Sequence, residues 1–534
     1  MPTRLTPNRL IVVSALFIVL FANIAFFRNA LDAFGAQPNG YLHVASLALL
    51  LVFLQILVIG LVGVGRALKP ALVTLIMVAA SAAYFMDTYN VIIDRDMLVN
   101  AGATNWAETR DLLTWRLFAY LVLGGLLPAL LIAKVEVQRL PWRRAWPPRV
   151  ALILVAIAGS TVLLLSSTAF YASFFREHKS LRYYTNPLTP LHAVARYLSR
   201  PVSAGDSPVE VIGADAKVET QDIERELVIM VVGETARADR FSLNGYARDT
   251  NPRLATEDVV SFTGMSACGT STAISVPCMF AIAERSDFDD NKALATENAL
   301  DVLTHAGVHV LWRDNNSSSK GVSTRIQTED YRSAERNPLC DIECRDPGML
   351  DGLQAYIDGQ AQGDILIVLH AMGSHGPAYY KRYPDAFRKF TPTCESSQLD
   401  SCSREAISNT YDNTILYTDE FLAQVIELLR ANDDRFETAM VYVSDHGESL
   451  GESGVYLHGL PYFVAPEAQT HVASVMWLGR NYAEVDNRTL RSVADRELSH
   501  DNVFHTLLGL FEIESSVYDA DKDILALARA AAQP

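Results

Sequence analysis

Up to about residue 172 the chain is dominated by long apolar runs; from about residue 220 short apolar runs alternate with helical patterns. Five of the long runs, at 10–27, 44–65, 71–87, 117–134 and 149–170, approach the roughly 20 residues that cross about 30 Å of hydrocarbon at 1.5 Å per residue. The pattern predicts an α-helical membrane domain of five transmembrane helices over 1–172. Residues 173–220 follow as an interfacial segment and linker. FFREHKSLRYYTNPLTPLHAVARYLSR mixes aromatics with Arg and Lys, as a membrane interface favours, and PVSAGDSPVEVIGADAKVET has the Pro, Gly and Ala content of a hinge. The remainder, 221–534, reads as an α/β soluble domain with a mainly parallel central sheet, because strand-length runs recur between helical ones.

Charge orients the membrane part. Arg4 and Arg9 precede the first run, Arg66 and Lys69 separate the second from the third, and Lys134, Arg139, Arg143, Arg144 and Arg149 lie between the fourth and fifth. The alternate loops carry Asp32, then Asp87, Asp94, Asp96, Glu108 and Asp111 among mixed residues. Basic loops face the cytoplasm, so the N-terminus is cytoplasmic and an odd number of spans puts the soluble domain outside. The six cysteines agree with that compartment, since all of them fall in the soluble domain. Their proximity in sequence suggests the pairs Cys268–Cys278, Cys340–Cys344 and Cys394–Cys402. A net charge of −16 excludes nucleic acid as a natural partner and suits a domain that holds a divalent cation among carboxylates.

Three of the apolar runs deliver metal-ligand side chains at their ends. ELVIMVVGE ends in Glu234, DILIVLHAMGSHG runs through His370 to His375, and TAMVYVSDHGE carries Asp445 and His446. In open α/β sheets ligands bind beyond the carboxyl ends of the strands, so the three ends are expected to converge. Two carboxylates and an imidazole make a set suited to Zn²⁺ with one position open. ACGTSTAISVPC, residues 267–278, offers hydroxyls for that position, on Thr270, Ser271 and Thr272, inside a loop fenced by two cysteines. A bound Zn²⁺ lowers the pKa of coordinated water from 15.7 to about 7, and an alcohol should respond alike.

VVGETARADR, CGTSTAISVPCMF, LWRDNNSSSKG, GSHGPAYYKRYP and SDHGESLGESGVYLHG resemble the successive motifs of the phosphoethanolamine transferases. These are membrane-anchored members of the alkaline phosphatase/sulfatase superfamily that include lipid A-modifying and mobile colistin-resistance enzymes. The resemblance implies one tightly bound zinc, with a second conceivable, on Glu234, Thr272, Asp445 and His446, and Thr272 as nucleophile. It also implies His375 and His458 near the phosphate or on a second zinc, with one of them as proton donor. Asn316, Lys320 and His370 are expected to contact the substrate. MLVNAGATNWAET resembles the family's donor-lipid segment and suggests Asn100, Thr104 and Glu108 around the ethanolamine. The implied reaction moves phosphoethanolamine from phosphatidylethanolamine to a lipid A phosphate, in a monomer of the bacterial inner membrane with a periplasmic catalytic domain. Polymyxin resistance would follow. The alternatives are phosphoethanolamine or phosphoglycerol transfer to core sugars or glucan, or a periplasmic phosphodiesterase.

Overall fold

In the computed structural model the first apolar run forms two helices, α1 (Pro7–Phe21) and α2 (Ile24–Phe34), bent by 60°. The expected single helix over 10–27 is broken at Asn23. That side chain is buried, donates to Ile18 O (3.0 Å) and Asn186 O (2.9 Å), and accepts from the Asn186 backbone N–H (2.8 Å). A buried amide must be satisfied, and a partner 163 residues away sets the bend. Then come α3 (Gly40–Val62), α4 (Leu68–Tyr89), the short α5 (Arg95–Ala103) and α6 (Trp106–Leu112), α7 (Trp115–Lys134) and α8 (Trp142–Ser166). Four of these helices are long and apolar enough to cross a membrane, and the bent pair makes a fifth if counted as one span. The described residues are 4–36, 38–104, 106–138, 141–199, 209–219, 224–483 and 485–532.

Residues up to Leu98, with those from Leu112 to the end of the predicted interfacial region, form one compact unit. Val99–Asp111 joins the second unit, which holds the C-terminal domain. That domain is built on a seven-stranded sheet. Its strands are β1 (Glu226–Gly233), β2 (Val260–Phe262), β3 (His309–Asp314), β4 (Gln327–Asp330), β5 (Ile365–His370), β6 (Glu437–Ser444) and β7 (Ser474–Leu478). They lie in the order β2-β7-β6-β1-β5-β3-β4, with β7 antiparallel to both neighbours and the other pairings parallel.

Every residue of β1 is buried, as a strand covered on both faces requires. Val228, Met230 and Val232 enter one apolar layer, and Leu227, Ile229 and Val231 the other. The three strands with polar ends, β6, β1 and β5, sit side by side and run the same way. Their register pairs Ser444 with Gly233 and Val232 with His370, so the residues that follow them emerge together. The three disulfides join Cys268 to Cys278, Cys340 to Cys344 and Cys394 to Cys402.

Candidate active site

Glu234 leaves β1 and the chain turns at once. Thr235 adopts φ 52°, a left-handed conformation that costs a β-branched residue on the order of 1–3 kcal/mol. Its N–H donates to Asp445 Oδ1 (3.2 Å) and its carbonyl accepts from the Tyr411 hydroxyl (2.6 Å), so contacts from distant chain hold the turn. Gly373 backs onto the same turn: at φ 49°, a Cβ there would come 2.8 Å from Glu234 O.

Asp445 and His446 leave β6 beside it. All three side chains are fully buried, and one ligand atom from each lies within 4.8 Å of the others. Glu234 Oε1 and Asp445 Oδ2 make no hydrogen bond, yet each stands 3.4 Å from His446 Nε2. Buried carboxylate oxygens are ordinarily satisfied, and two that are not, grouped with an imidazole nitrogen, fit a divalent cation. The ring of His446 is set for this. Its Nδ1–H donates to Gly447 O (2.9 Å), which leaves Nε2 as the ligand atom of the neutral tautomer.

The charges are tightly coupled. Burial disfavours ionised Glu234, but the adjacent His446 ring and its charge overcome it and hold the carboxyl well below its usual range. Burial, then the Glu234 charge, pushes Asp445 up to about 6. Burial opposes charged His446, but Asp445 and then Glu234 raise it to about 10.

The hydroxyl comes from the first residue of α9 (Thr272–Phe280). Thr272 is buried, donates to Glu234 Oε2 (3.1 Å), and lies 3.4 Å from His446 Nε2. The two neighbouring hydroxyls are placed otherwise: Thr270 donates to Leu460 O (2.7 Å), and Ser271 occupies the N-cap position. The Cys268–Cys278 bridge ties the approach to this loop to the far end of the helix.

His500, which the motifs do not contain, braces both sides. It is buried, its Nδ1 accepts from Cys268 N–H (3.1 Å), and its Nε2–H donates to Ser444 O (3.0 Å), one residue before Asp445. That pattern needs a neutral ring, and burial pushes it down to about 4. A histidine whose folded value lies below the unfolded 6.5 takes up its proton first in the unfolded chain. Its stabilisation is therefore complete above pH 6.5 and is lost as pH falls from 6.5 toward 4. The melting temperature of the full chain should drop over that interval, and less so in His500→Gln. Equal pH profiles for the two proteins would remove His500 from this role.

The other expected residues are placed as follows. Asn316 Nδ2 donates to Glu234 Oε2 (2.8 Å) and Ala371 O (2.8 Å), so one amide hydrogen holds the carboxylate and the other anchors the side chain to the backbone after β5. His370 is buried; its Nδ1–H donates to Asp314 Oδ2 (3.2 Å) and its Nε2 makes no hydrogen bond. His375 and His458 flank the centre, with ring centroids 5.7 Å apart and His458 4.3 Å from His446. Part of His375 is accessible, but the protein packed round its ring pushes the imidazole down to about 3. His458 Nδ1 is fixed by Glu448 Oε2 (3.1 Å). Glu448 closes the quoted TAMVYVSDHGE run, yet nothing local marks it as a partner of a residue ten positions on.

Asp346 is likewise invisible in sequence. It accepts from Met372 N–H (2.8 Å), Gly373 N–H (2.9 Å) and Asn315 Nδ2 (2.7 Å), and so shapes the loop leading to His375. Lys320, at φ 52°, donates from Nζ to Ser317 Oγ (2.5 Å) and Ala103 O (3.1 Å). Ala103 lies in the Val99–Asp111 stretch of the same compact unit, where the Thr104 hydroxyl donates back to Asn100 O (2.9 Å). The side chain of Glu108 lies outside the described residues. Asp111 ends the stretch, ion-paired with Lys381 and with Arg382 (3.6 Å), and Arg382 Nε donates to His375 O (2.7 Å).

A mainly parallel sheet whose central strands end in two carboxylates and an imidazole, met by a hydroxyl at a helix start, defines the alkaline phosphatase/sulfatase class, and the sulfatase family model matches residues 226–513. The model of phosphoethanolamine transferase EptA/EptB matches residues 51–202. The chain is 41% identical over 538 residues to phosphatidylethanolamine transferase Mcr-1 of Escherichia coli, covering 98% of each. It is 40% identical over 529 residues to phosphoethanolamine transferase EptA of Salmonella typhimurium, covering 95% of this chain and 94% of that one. The structure superimposes with a TM-score of 0.93 on the integral membrane protein lipooligosaccharide phosphoethanolamine transferase A (EptA) from Neisseria meningitidis. Those two chains are 35% identical, with 98% of this one and 99% of that one covered. The chain belongs to the phosphoethanolamine transferase family. It is an enzyme of the inner membrane whose soluble domain lies in the periplasm.

Proposed function

We propose that this enzyme transfers phosphoethanolamine from phosphatidylethanolamine to a phosphate of lipid A through a covalent intermediate on Thr272, and that polymyxin resistance follows. One observation carries this reading: a single buried hydroxyl lies within 3.4 Å of both a carboxylate and an imidazole that converge with a second carboxylate. A zinc ion held by Glu234, Asp445, His446 and Thr272 would lower the pKa of the hydroxyl and offset charge on the phosphoryl oxygens.

Thr272 Oγ attacks phosphorus as its proton leaves through the hydrogen bond to Glu234 Oε2 (3.1 Å), a Thr–O–P bond forms, and the bond from phosphorus to the diacylglycerol oxygen breaks. The leaving oxygen takes a proton from His458, whose ring Glu448 orients through Nδ1. His375 suits a neutral role, as a ligand or hydrogen-bond acceptor, because its surroundings disfavour the imidazolium. An acceptor phosphate oxygen then displaces Thr272 from phosphorus, and Thr272 recovers its proton by the same route past Glu234, so one difficult displacement becomes two. Asn316 keeps Glu234 aligned, and Lys320 supplies positive charge beside the Val99–Asp111 stretch, where the donor headgroup is placed by Asn100, Thr104 and Glu108. The lipooligosaccharide in the name of the Neisseria meningitidis transferase supports a lipid A-type acceptor.

Purified full-length protein incubated with phosphatidylethanolamine and zinc, without acceptor, should carry phosphoethanolamine on the Cys268–Cys278 peptide. Mass spectrometry of lipid A from cells with and without the protein should show the modified phosphate. An adduct elsewhere in the chain, or unmodified lipid A alongside modified core sugars, would defeat the corresponding half of the proposal.

A further inference from the structure

The transfer reaction leaves the cytoplasmic ends of the membrane helices without a task. There α1 begins, α3 gives way to α4, α7 ends and α8 begins, around a cavity of about 920 Å³. Arg66, Lys69, Lys134 and Arg149 line it against a single acid, Glu136, which is already paired with Arg4 (2.9 Å). Arg149 is buried and supports the walls, donating to Gly60 O and Gly63 O (3.0 Å each) and to Asn8 Oδ1 (3.2 Å). Lys69 donates to Ala133 O (2.8 Å) and has two ammonium hydrogens left. Arg66 and Lys134 make no ion pair or side-chain hydrogen bond among the described residues.

Membrane topology alone asks only that cytoplasmic loops be basic, and the exposed Arg9 and Arg144 meet that need from outside the cavity. It does not ask for cations gathered round a hollow. The rest of the lining is in part apolar, with Pro7, Val64, Leu68, Val135 and Trp146. A surplus of positive charge beside an apolar wall, at the level of the lipid headgroups, matches one chemistry: a phosphodiester anion with an acyl-glycerol attached. The volume suits such a headgroup, since small-ligand sites span about 300–1,000 Å³. We propose that this cavity binds the headgroup of an anionic phospholipid from the cytoplasmic leaflet. The site is separate in place and in charge from that of the zwitterionic donor lipid.

The test uses full-length protein reconstituted in vesicles of phosphatidylethanolamine with phosphatidylglycerol added, then released for native mass spectrometry. The native protein should retain one phosphatidylglycerol. Arg66→Ala with Lys134→Ala should reduce retention on the order of tenfold or more. Arg9→Ala with Arg144→Ala removes the same charge from the same face and should leave retention within about twofold. Transfer activity should survive in both double variants and reports that they fold; if the first does not fold, Arg66→Gln alone replaces it. Equal losses in the two double variants would mean diffuse attraction, and no retention by the native protein would mean no site. Release of the lipid by millimolar inorganic phosphate would assign the cavity to free phosphate. Any of these three outcomes overturns the proposal.

Discussion

Thr272→Ala is expected to lower phosphoethanolamine transfer on the order of 10⁴-fold or more, the scale seen when a nucleophile that acts within a catalytic unit is removed. Neither neighbour can take its place. The Thr270 hydroxyl is directed to Leu460 O at 2.7 Å, and Ser271 stands at the N-cap, before the helix that aims Thr272 begins. The loss should be catalytic rather than structural. Glu234 Oε2 still receives the Asn316 amide at 2.8 Å, so deleting the hydroxyl leaves no newly orphaned oxygen there. Thr272→Ser keeps the oxygen but loses the methyl group that restricts χ1. It should retain part of the rate and still form the adduct. Turnover of phosphatidylethanolamine, scored beside the melting temperature, separates the two effects. A folded Thr272→Ala protein keeping more than about one hundredth of the native rate would show that another group attacks phosphorus.

The placement of Glu234, Asp445 and His446 was legible because it depends on local pattern. Each follows an apolar run long enough for one buried strand, and parallel strands present their carboxyl ends on one side of the sheet. What stayed hidden rests on contacts between distant segments. The first apolar run contains nothing that breaks a helix except Asn23, whose partner Asn186 comes from beyond the last span. Asn316 falls in a motif that suggests phosphate contact, yet both of its amide hydrogens are directed at Glu234 and Ala371. Asp346 and His500 act mainly on backbone groups of loops far away in sequence, and no pattern in their own neighbourhoods betrays that. Among the three adjacent hydroxyls the family resemblance pointed to Thr272, whereas the local pattern by itself left Thr270, Ser271 and Thr272 open, because a helix start one residue earlier would have presented Ser271 instead.

Binding of Zn²⁺ to protein stripped with a chelator is expected to release close to one proton per ion at pH 7.5, the proton on His446. Asp445 and Glu234 raise that imidazole to about 10, so without an ion it serves as their counter-charge. The sign is fixed by comparison with 6.5 in the unfolded chain. In the stripped protein the His446 contribution to stability is complete below pH 6.5 and is lost as pH rises through about 10. A ligand imidazole must be neutral. Apparent zinc affinity should therefore climb about tenfold per pH unit from 6.5 to 9, while the stripped fold steadily loses the His446 contribution over the same range. Titration calorimetry in two buffers of different ionisation enthalpy counts the proton, and melting curves with and without zinc follow the stability. His446→Ala sharpens the test, since it leaves two buried carboxylates with neither ion nor imidazolium. Removing one partner from a buried charge set costs about 3–5 kcal/mol, so the stripped variant should melt well below stripped Thr272→Ala. Tight zinc binding with no proton released, or a stripped His446→Ala protein as stable as the native chain, would show that the ion is held somewhere else.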